Sequence, residues 1–581
     1  MRLVIEQSFR THDGTELFYR YWPAKTPSTD RAIVLFHRGH EHSGRLQHIV
    51  DELAIDDFSM FAWDARGHGR SPGPRGDSPS FSASVKDVDS FVRHISHEHG
   101  IPLGNIAVIA QSVGAVLVST WVHDFAPRIR CLVLAAPAFK VKLYVPLARA
   151  GLKMLNRLFG NFFVNSYVKA KFLTHDPERI RSYESDTLIT RAISVRILLG
   201  LYEAADRVVA DAQAIQIPTQ LLISGNDWVV DTQLQHEFFG RLGSPHKEVH
   251  VLDGFYHDTL GEKDRRLALD KVRAFSTKLF GQDQSVPSLL DADQQGFTKT
   301  EETRLSTPLP ALSLDSLRFG GIKIAMRTLG RLSEGVRLGI NTGFDSGSTL
   351  DYVYRNRAQG TTFLGQLLDR NYLNSVGWKG IRARKMHIEQ AIAKAASCLR
   401  EIGRPIRITD IAAGHGRYVL EATEKLPQLP ESILLRDYSD INVRDGTALI
   451  REKKLGHIAR FAKADAFDEL DVASIKPRPT VAIVSGLYEL FSGNASVSAS
   501  LRGLGQAVEN GGYLIYTGQP WHPQLELIAR TLTSHRDQRA WVMRRRTQAE
   551  LDQLVERAGF SKIEQWVDEW GIFTVSLAVR A

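Results

Sequence analysis

Ile106-Ala107-Val108-Ile109-Ala110-Gln111-Ser112-Val113-Gly114 runs from an apolar, β-branched stretch into a small-x-Ser-x-Gly turn, and a helix-like run, 113–123, follows. A serine at a turn between strand and helix stands clear of both, where a nucleophile is needed. Such a serine requires a base for its proton, an acid to hold that base, and backbone N–H groups aimed at the developing oxyanion. Asp227 stands in Ser224-Gly225-Asn226-Asp227-Trp228-Val229-Val230-Asp231, and His257 in Gly254-Phe255-Tyr256-His257-Asp258, each just past an expected strand. The order Ser, Asp, His predicts a triad of Ser112, Asp227 and His257. Asp231 is the rival acid; its other reading is a loop carboxylate that caps or pairs.

Working outward, short apolar runs recur at 32–36, 59–63, 106–110, 131–135, 220–224 and 248–252. Most are continuous rather than alternating, as in strands buried on both faces, and helical pattern separates them. The first half therefore reads as an open, mostly parallel α/β sheet. Strand rhythm stops over 138–217, where a helical cap is expected.

His37-Arg38-Gly39-His40-Glu41-His42-Ser43-Gly44-Arg45 resembles the oxyanion loop of monoglyceride-lipase-like serine hydrolases, and Asp64-Ala65-Arg66-Gly67-His68-Gly69-Arg70-Ser71 resembles the next loop of that family. The resemblance covers about residues 2–279. It implies an α/β-hydrolase fold with a helical cap, oxyanion donors from the backbone of Gly39 and Val113, and substrates among acylglycerols, lysophospholipids and other esters. Where the family has His-Gly this chain has His37-Arg38, a cation that either meets an anionic substrate or packs locally.

The second half carries its own signature, Asp410-Ile411-Ala412-Ala413-Gly414-His415-Gly416, at the end of an apolar run at 406–411. Small residues there let backbone approach a nucleoside-type ligand closely. Asp437 ends the next run, twenty-one residues after Gly416, where a carboxylate binds ribose hydroxyls. The glycine turn alone fits a nicotinamide dinucleotide equally well. Ala464-Asp465-Ala466-Phe467 after the third run resembles the adenine-binding element of class I S-adenosylmethionine-dependent methyltransferases, and the runs at 562–567 and 572–579 resemble their terminal hairpin. That resemblance, over about residues 352–581, implies a Rossmann-like fold with S-adenosylmethionine as cofactor. It assigns Asp410, Ala412, Gly414, Gly416, Asp437, Asp465 and Ala466 to the cofactor. Tyr488 and Glu489, after the fourth run, and His522, after the fifth, are candidates for the methyl acceptor's site or its base; a packing tyrosine, a capping glutamate and a surface histidine are the alternatives. No base need exist, because the sulfonium is already activated.

At 581 residues the chain exceeds one core, and two domains are expected, 1–280 and 349–581, with a linker and basic amphipathic segment at 281–348. Gln, Asp, Ser, Thr and Pro dominate 281–316, which reads as mobile. The two cysteines, Cys131 and Cys398, fall in different domains; a disulfide framework or a cysteine metal site is not expected, and a reducing cytoplasm is. The first residues lack a signal-peptide apolar run, and no stretch approaches the ~20 apolar residues of a membrane span. Net charge is +8; residues 138–175 hold seven Lys/Arg and no acid. Leucines and phenylalanines stand among those charges, which fits an anionic lipid surface better than nucleic acid; a solvated helix face fits as well. The whole chain resembles bacterial fusions of an α/β hydrolase with a class I methyltransferase. The expectation is a cytoplasmic ester hydrolase and methyltransferase of lipid metabolism acting on lipid or small-molecule substrates. The alternative is a hydrolase whose second domain binds S-adenosylmethionine without catalysis.

Overall fold

The structure, a computed structural model, describes residues 2–26, 30–142, 147–166, 168–284, 286–536 and 539–581. Its contacts divide the chain into two compact units, Met1–Pro287 and Ser288–Ala581.

The first unit is built on β1 (Ile5–Arg10), β2 (Glu16–Trp22), β3 (Ala32–Phe36), β4 (Ser59–Trp63), β5 (Ile106–Gln111), β6 (Cys131–Ala135), β9 (Thr219–Ser224) and β10 (Lys247–Leu252). Their order in the sheet is β1-β2-β4-β3-β5-β6-β9-β10; the β1–β2 and β2–β4 pairs are antiparallel and the rest parallel. Every residue of β3, β4, β5, β6 and β9 is buried, as the continuous apolar runs required. The helix Arg266–Phe280 sets Leu269, Val272 and Phe275 into a core that includes Ile33, Ile109 and Val133. This is the α/β-hydrolase fold. The antiparallel β1–β2 pair escaped the sequence pattern because β1 exposes five of its six residues and so carries no apolar run.

Between β6 and β9 lie the helices Ala148–Phe159, Pro177–Ser185 and Val195–Ala210, with the short antiparallel pair β7 (Phe163–Asn165) and β8 (Ala192–Ser194). Leu143, Tyr144 and Val145, apolar residues within the expected cap, lie outside the described residues. The helix Ala148–Phe159 buries none of its residues; Leu158 and Phe159 are 68% and 75% exposed. The acid-free look of this stretch holds only along the chain. Arg149 pairs with Asp206, Lys153 with Glu203 and Lys140 with Asp231, so acids from elsewhere in the unit stand beside the cap's cations.

The second unit holds β11 (Arg407–Asp410), β12 (Ser432–Asp437), β13 (Ala459–Lys463), β14 (Val481–Val484), β15 (Tyr513–Gly518), β16 (Phe560–Val567) and β17 (Thr574–Arg580), in the order β13-β12-β11-β14-β15-β17-β16. All neighbours are parallel except β17, which is antiparallel to β15 and β16. Strand order reverses between β11 and β14, which opens a crevice at the carboxyl ends of those strands. The helix Val376–Glu401 buries Ile388, Ile392 and Leu399 in a core with Ile408, Ile433 and Leu577.

Residues 281–348, expected as a linker that is mobile over 281–316 and carries a basic amphipathic segment, are largely helical: Phe297–Ser306, Leu314–Thr328 and Glu334–Thr342. Leu305 packs with Leu525, Ile528 and Met543, and Val336 with Phe344, Tyr352 and Trp378. Two of the polar residues that suggested disorder serve as hydrogen-bond partners within the unit. Thr298 Oγ1 accepts from Arg544 at 3.0 Å, and Asp293 Oδ2 from the Asn494 N–H at 2.8 Å. Among the described residues no helix is long and apolar enough to cross a membrane.

Candidate active sites

Ser112 sits between β5 and the helix Val113–Phe125 with φ 55° and ψ −117°, a strained conformation for a residue with a Cβ. Its N–H donates to Ala135 O at 3.0 Å, and its carbonyl accepts from the N–H groups of Val116 and Ala138, both at 3.2 Å. Gly114 is required beside it: a Cβ there would lie 2.4 Å from His37 O. The tight packing of turn against loop therefore dictates the motif's glycine.

His257 Nε2 lies 2.7 Å from Ser112 Oγ, and His257 Nδ1 lies 2.8 Å from Asp227 Oδ2. Asp227 Oδ1 accepts the N–H groups of Val229 and Val230 at 2.7 and 2.9 Å. Burial alone would raise the Asp227 carboxyl; the His257 ring and these N–H groups outweigh it and hold the group below the usual carboxylate range. Asp231 is engaged elsewhere, with Lys140 Nζ at 2.8 Å and the Gln233 N–H at 2.9 Å.

Gly39 and Val113 line the same cavity as Ser112 and His257. Val113 opens its helix, so its N–H has no acceptor within the helix. His37 holds the Gly39 loop: its Nδ1 pairs with Arg38 O at 2.7 Å and its Nε2 accepts the Ala65 N–H at 3.1 Å. Arg38 is buried and clamped on Glu41 by Nε and Nη2 at 2.8 and 2.6 Å, so its first role is to brace this loop. The cavity measures about 850 Å³ and is mainly apolar, with Leu152 and Leu155 of one cap helix and Leu198 and Leu201 of another among its walls. The last two were missed in the sequence, where a buried cap helix looks like any amphipathic helix.

In the second unit a cavity of about 830 Å³ opens at the glycine turn, lined by Ala412, Gly414, Gly416, Asp437, Asp465 and Ala466 among others. Gly414 and Gly416 have φ +57° and +72°, and a Cβ on Gly416 would lie 2.4 Å from Leu435 Cδ1. Asp437 Oδ2 accepts the Gly414 N–H at 3.0 Å, and its Oδ1 accepts from Asn442 Nδ2 at 3.0 Å. Asp410 is a correction. It does not line the cavity but lies buried beneath the turn, accepting the Ala412 N–H at 3.1 Å and the Tyr418 hydroxyl at 2.5 Å. Burial, with Asp437 nearby and against those two hydrogen bonds, pushes its carboxyl up to about 7.

Residues 272–580 match the family described as "Putative methyltransferase", more than half of the chain. The chain belongs to this family. Residues 27–264 match the family described as "Serine aminopeptidase, S33". The chain is 55% identical over 580 residues to "Uncharacterized protein YnbC" of Escherichia coli (strain K12), covering 100% of this chain and 99% of that one. It is 27% identical over 277 residues to the monoacylglycerol lipase of Mycolicibacterium smegmatis, covering 46% of this chain and 96% of the relative. To the human monoglyceride lipase it is 29% identical over 262 residues, covering 42% and 80%. A lipase-like α/β-hydrolase domain and a domain of the methyltransferase family thus share one polypeptide.

Within the methyltransferase-family unit the three acceptor candidates separate. Tyr488 is a correction: it lines neither the larger cavity nor the smaller one of about 220 Å³ and packs in the core with Leu501 and Leu514, its hydroxyl 2.9 Å from Ser500 Oγ. Glu489 and His522 are both buried and both line that smaller cavity. Burial pushes the His522 imidazole down to about 4 and raises the Glu489 carboxyl, although Arg384 Nη1 donates to it at 2.9 Å. Sequence reasoning missed Asp345, Ser346 and Gly347, which line the larger cavity from within the expected linker, and Arg384, which lines both cavities. A Cβ built on Gly414 would lie 3.6 Å from Gly347 Cα, a proximity that no local motif encodes.

Proposed function

We propose that the first unit cleaves carboxylic esters of acylglycerol or lysophospholipid type through Ser112, and that the second transfers a methyl group from S-adenosylmethionine to a small or lipid-derived acceptor. The observation that carries the first part is the hydrogen-bonded chain Ser112–His257–Asp227 opening into an apolar cavity of about 850 Å³. His257 Nε2 takes the Ser112 proton as Oγ attacks the ester carbonyl, and the N–H groups of Gly39 and Val113 receive the oxyanion. Asp227 holds the imidazole in the tautomer that presents Nε2 as acceptor and stabilises the imidazolium. His257 then returns the proton to the leaving alcohol, and water releases the acyl group from Ser112. The apolar walls suit an acyl chain, since each buried CH₂ contributes ~0.8 kcal/mol.

The second unit fits S-adenosylmethionine. The turn at Gly414 has no side chain between backbone and cavity, the Asp437 carboxylate reaches the cavity at the β12 end, and Ser485 Oγ lines it buried and without a hydrogen-bond partner. Asp437 would take the ribose hydroxyls, the backbone of 412–416 the amino-acid portion, and Asp465 with Ala466 the adenine edge. When bound, the sulfonium supplies an activated methyl group; the chain's part is to orient the acceptor and exclude water.

Ser112→Ala and His257→Ala should each abolish hydrolysis of a short-chain aryl ester and of 1-monoacylglycerol with unchanged circular dichroism, and the double variant should be no worse than either. Calorimetry should give roughly micromolar affinity for S-adenosylhomocysteine, about −8 kcal/mol, and none for NAD. Near-normal turnover of Ser112→Ala, or heat with NAD alone, would overturn the respective half.

A further inference from the structure

The two cavities of the second unit share a wall: Asp345, Leu350, Arg384, Gly486 and Leu490 line both. Beyond that wall the smaller cavity is aromatic and aliphatic, with Trp378, Trp541, Phe573 and Ile381 among its sides. Polar residues also line it, among them Tyr372, Arg384, Glu489, Gln519 and His522, and they are unevenly used. Glu489 Oε1 accepts from Arg384 Nη1 at 2.9 Å, whereas Glu489 Oε2 is buried with no hydrogen-bond partner. His522 Nδ1 accepts the Gln524 N–H at 3.0 Å, which leaves the ring's proton on Nε2. The Gln519 amide nitrogen meets Met543 Sδ at 3.9 Å. The cavity thus offers one carboxylate oxygen without a partner, donors on His522, Tyr372, Trp541 and the Arg384 that already pairs with Glu489, and flat apolar walls, next to the place where a methyl donor would lie.

We propose that this cavity takes the methyl acceptor as an uncharged, apolar molecule bearing an acidic hydroxyl, a phenol or an enol, and that Glu489 Oε2 receives the hydroxyl proton. The proposal rests on the larger cavity being the S-adenosylmethionine site. A hydroxyl both donates and accepts, so it can satisfy Glu489 Oε2 while accepting from His522 Nε2 or Gln519. The Glu489–Arg384 pair is already neutral, so a charged acceptor would be an unpaired charge in a buried site. A carboxylate would also face the Asp345 and Glu489 carboxylates. An aliphatic alcohol is too weak an acid for a carboxylate base, and the raised Glu489 carboxyl narrows the gap to a phenol.

Glu489 Oε2 takes the proton as the hydroxyl oxygen bonds to the methyl carbon. The carbon–sulfur bond breaks with its electron pair on sulfur, leaving the methyl ether, S-adenosylhomocysteine and a protonated Glu489. Arg384 is a positioning residue: it holds the Glu489 carboxylate by one oxygen so that the other stays free.

The test uses the full chain and four probes of one shape: 4-propylphenol, propylbenzene, 4-propylbenzoate and 4-propylbenzylamine. Calorimetry in the presence of S-adenosylhomocysteine should show the phenol binding at least tenfold tighter than the other three. With S-adenosylmethionine, mass spectrometry should find 4-propylanisole. Glu489→Gln, which keeps an amide oxygen for Arg384, should lower kcat about 100-fold while changing S-adenosylhomocysteine affinity less than threefold. Equal binding of phenol and propylbenzene, tighter binding of the benzoate or the amine, or binding of none of the four would overturn the proposal. Phenol binding without any S-adenosylhomocysteine binding would leave the pocket's chemistry standing and remove the methyltransferase reading instead.

Discussion

Lys142 Nζ donates to the carbonyl oxygen of Asp227 at 2.6 Å, so the first residues of the cap are fastened to the loop that carries the triad's acid. The Lys142 N–H also donates to Val229 O at 2.9 Å, and Val141 bridges Val230. Cap and triad loop are therefore one mechanical piece at this point. Lys142→Met should lower kcat for aryl esters about tenfold, the loss of one charge-assisted hydrogen bond, with little change in KM. Asp227→Asn should cost about 10⁴-fold through the wrong tautomer, and Asp231→Asn less than about twofold, since Asp231 has no contact with His257. Stopped-flow rates at fixed pH separate the three; an Asp231 effect larger than that of Asp227 would move the acid assignment.

The helix Ala148–Phe159 exposes Leu158 and Phe159 while two of its cations are paired with Asp206 and Glu203. If it docks on lipid, apolar insertion supplies more of the binding than charge does. Leu158→Ser with Phe159→Ser should reduce co-sedimentation with anionic vesicles by about tenfold, the loss of roughly 1.4 kcal/mol. Raising salt to 1 M should weaken the wild type only severalfold. Equal binding of variant and wild type excludes this helix as the anchor.

The second unit begins at Ser288, and Asp345, Ser346 and Gly347 line its larger cavity. A fragment spanning 288–581 should bind S-adenosylhomocysteine with the affinity of the full chain. One spanning 349–581 loses those residues and the Val336 and Phe344 side chains from the core around Trp378, and should bind at least tenfold more weakly. Comparable calorimetric affinities for the two fragments would contradict the boundary.

Asp410 is wholly buried with its carboxyl near 7, against about 3.9 in an unfolded chain. Between those values the folded chain binds the extra proton, so the stability that Asp410 contributes is fully present below about pH 4, is lost as pH rises toward 7, and stays lost above. Asp410→Asn removes the titrating group while keeping an oxygen for Tyr418. The urea midpoint of the wild type should drop between pH 5 and pH 8 by more than that of the variant. Parallel pH profiles would show that Asp410 ionises freely.

Much of the first unit was legible because its strands are buried on both faces, so Ala32–Phe36 or Cys131–Ala135 announces itself as an unbroken apolar run. Ser112, Asp227 and His257 were legible because each follows such a run. Three kinds of feature were hidden. The pair β1–β2 mixes polar and apolar residues at an edge. The helix Phe297–Ser306 looked like linker because its polar side chains meet partners hundreds of residues away, as Thr298 meets Arg544. Tyr488 looked like a site residue because its position after a strand end is shared by groups that face the crevice and groups that turn into the core.

What the sequence by itself determined is the α/β class of both halves and the strand–turn–helix setting of the candidate nucleophile Ser112, since periodicity and turn chemistry are local and survive without coordinates; the resemblance of its motifs to two families supplied the rest. What only the tertiary structure decided is which groups meet. Asp410 lies under its turn while Asp437 reaches the cavity, and Glu489 has one oxygen held by Arg384 and one unused. The physical reason is that burial and orientation depend on packing between segments far apart in the chain, so two carboxylates with equal standing in a motif come to differ in partners and in access to the cavity.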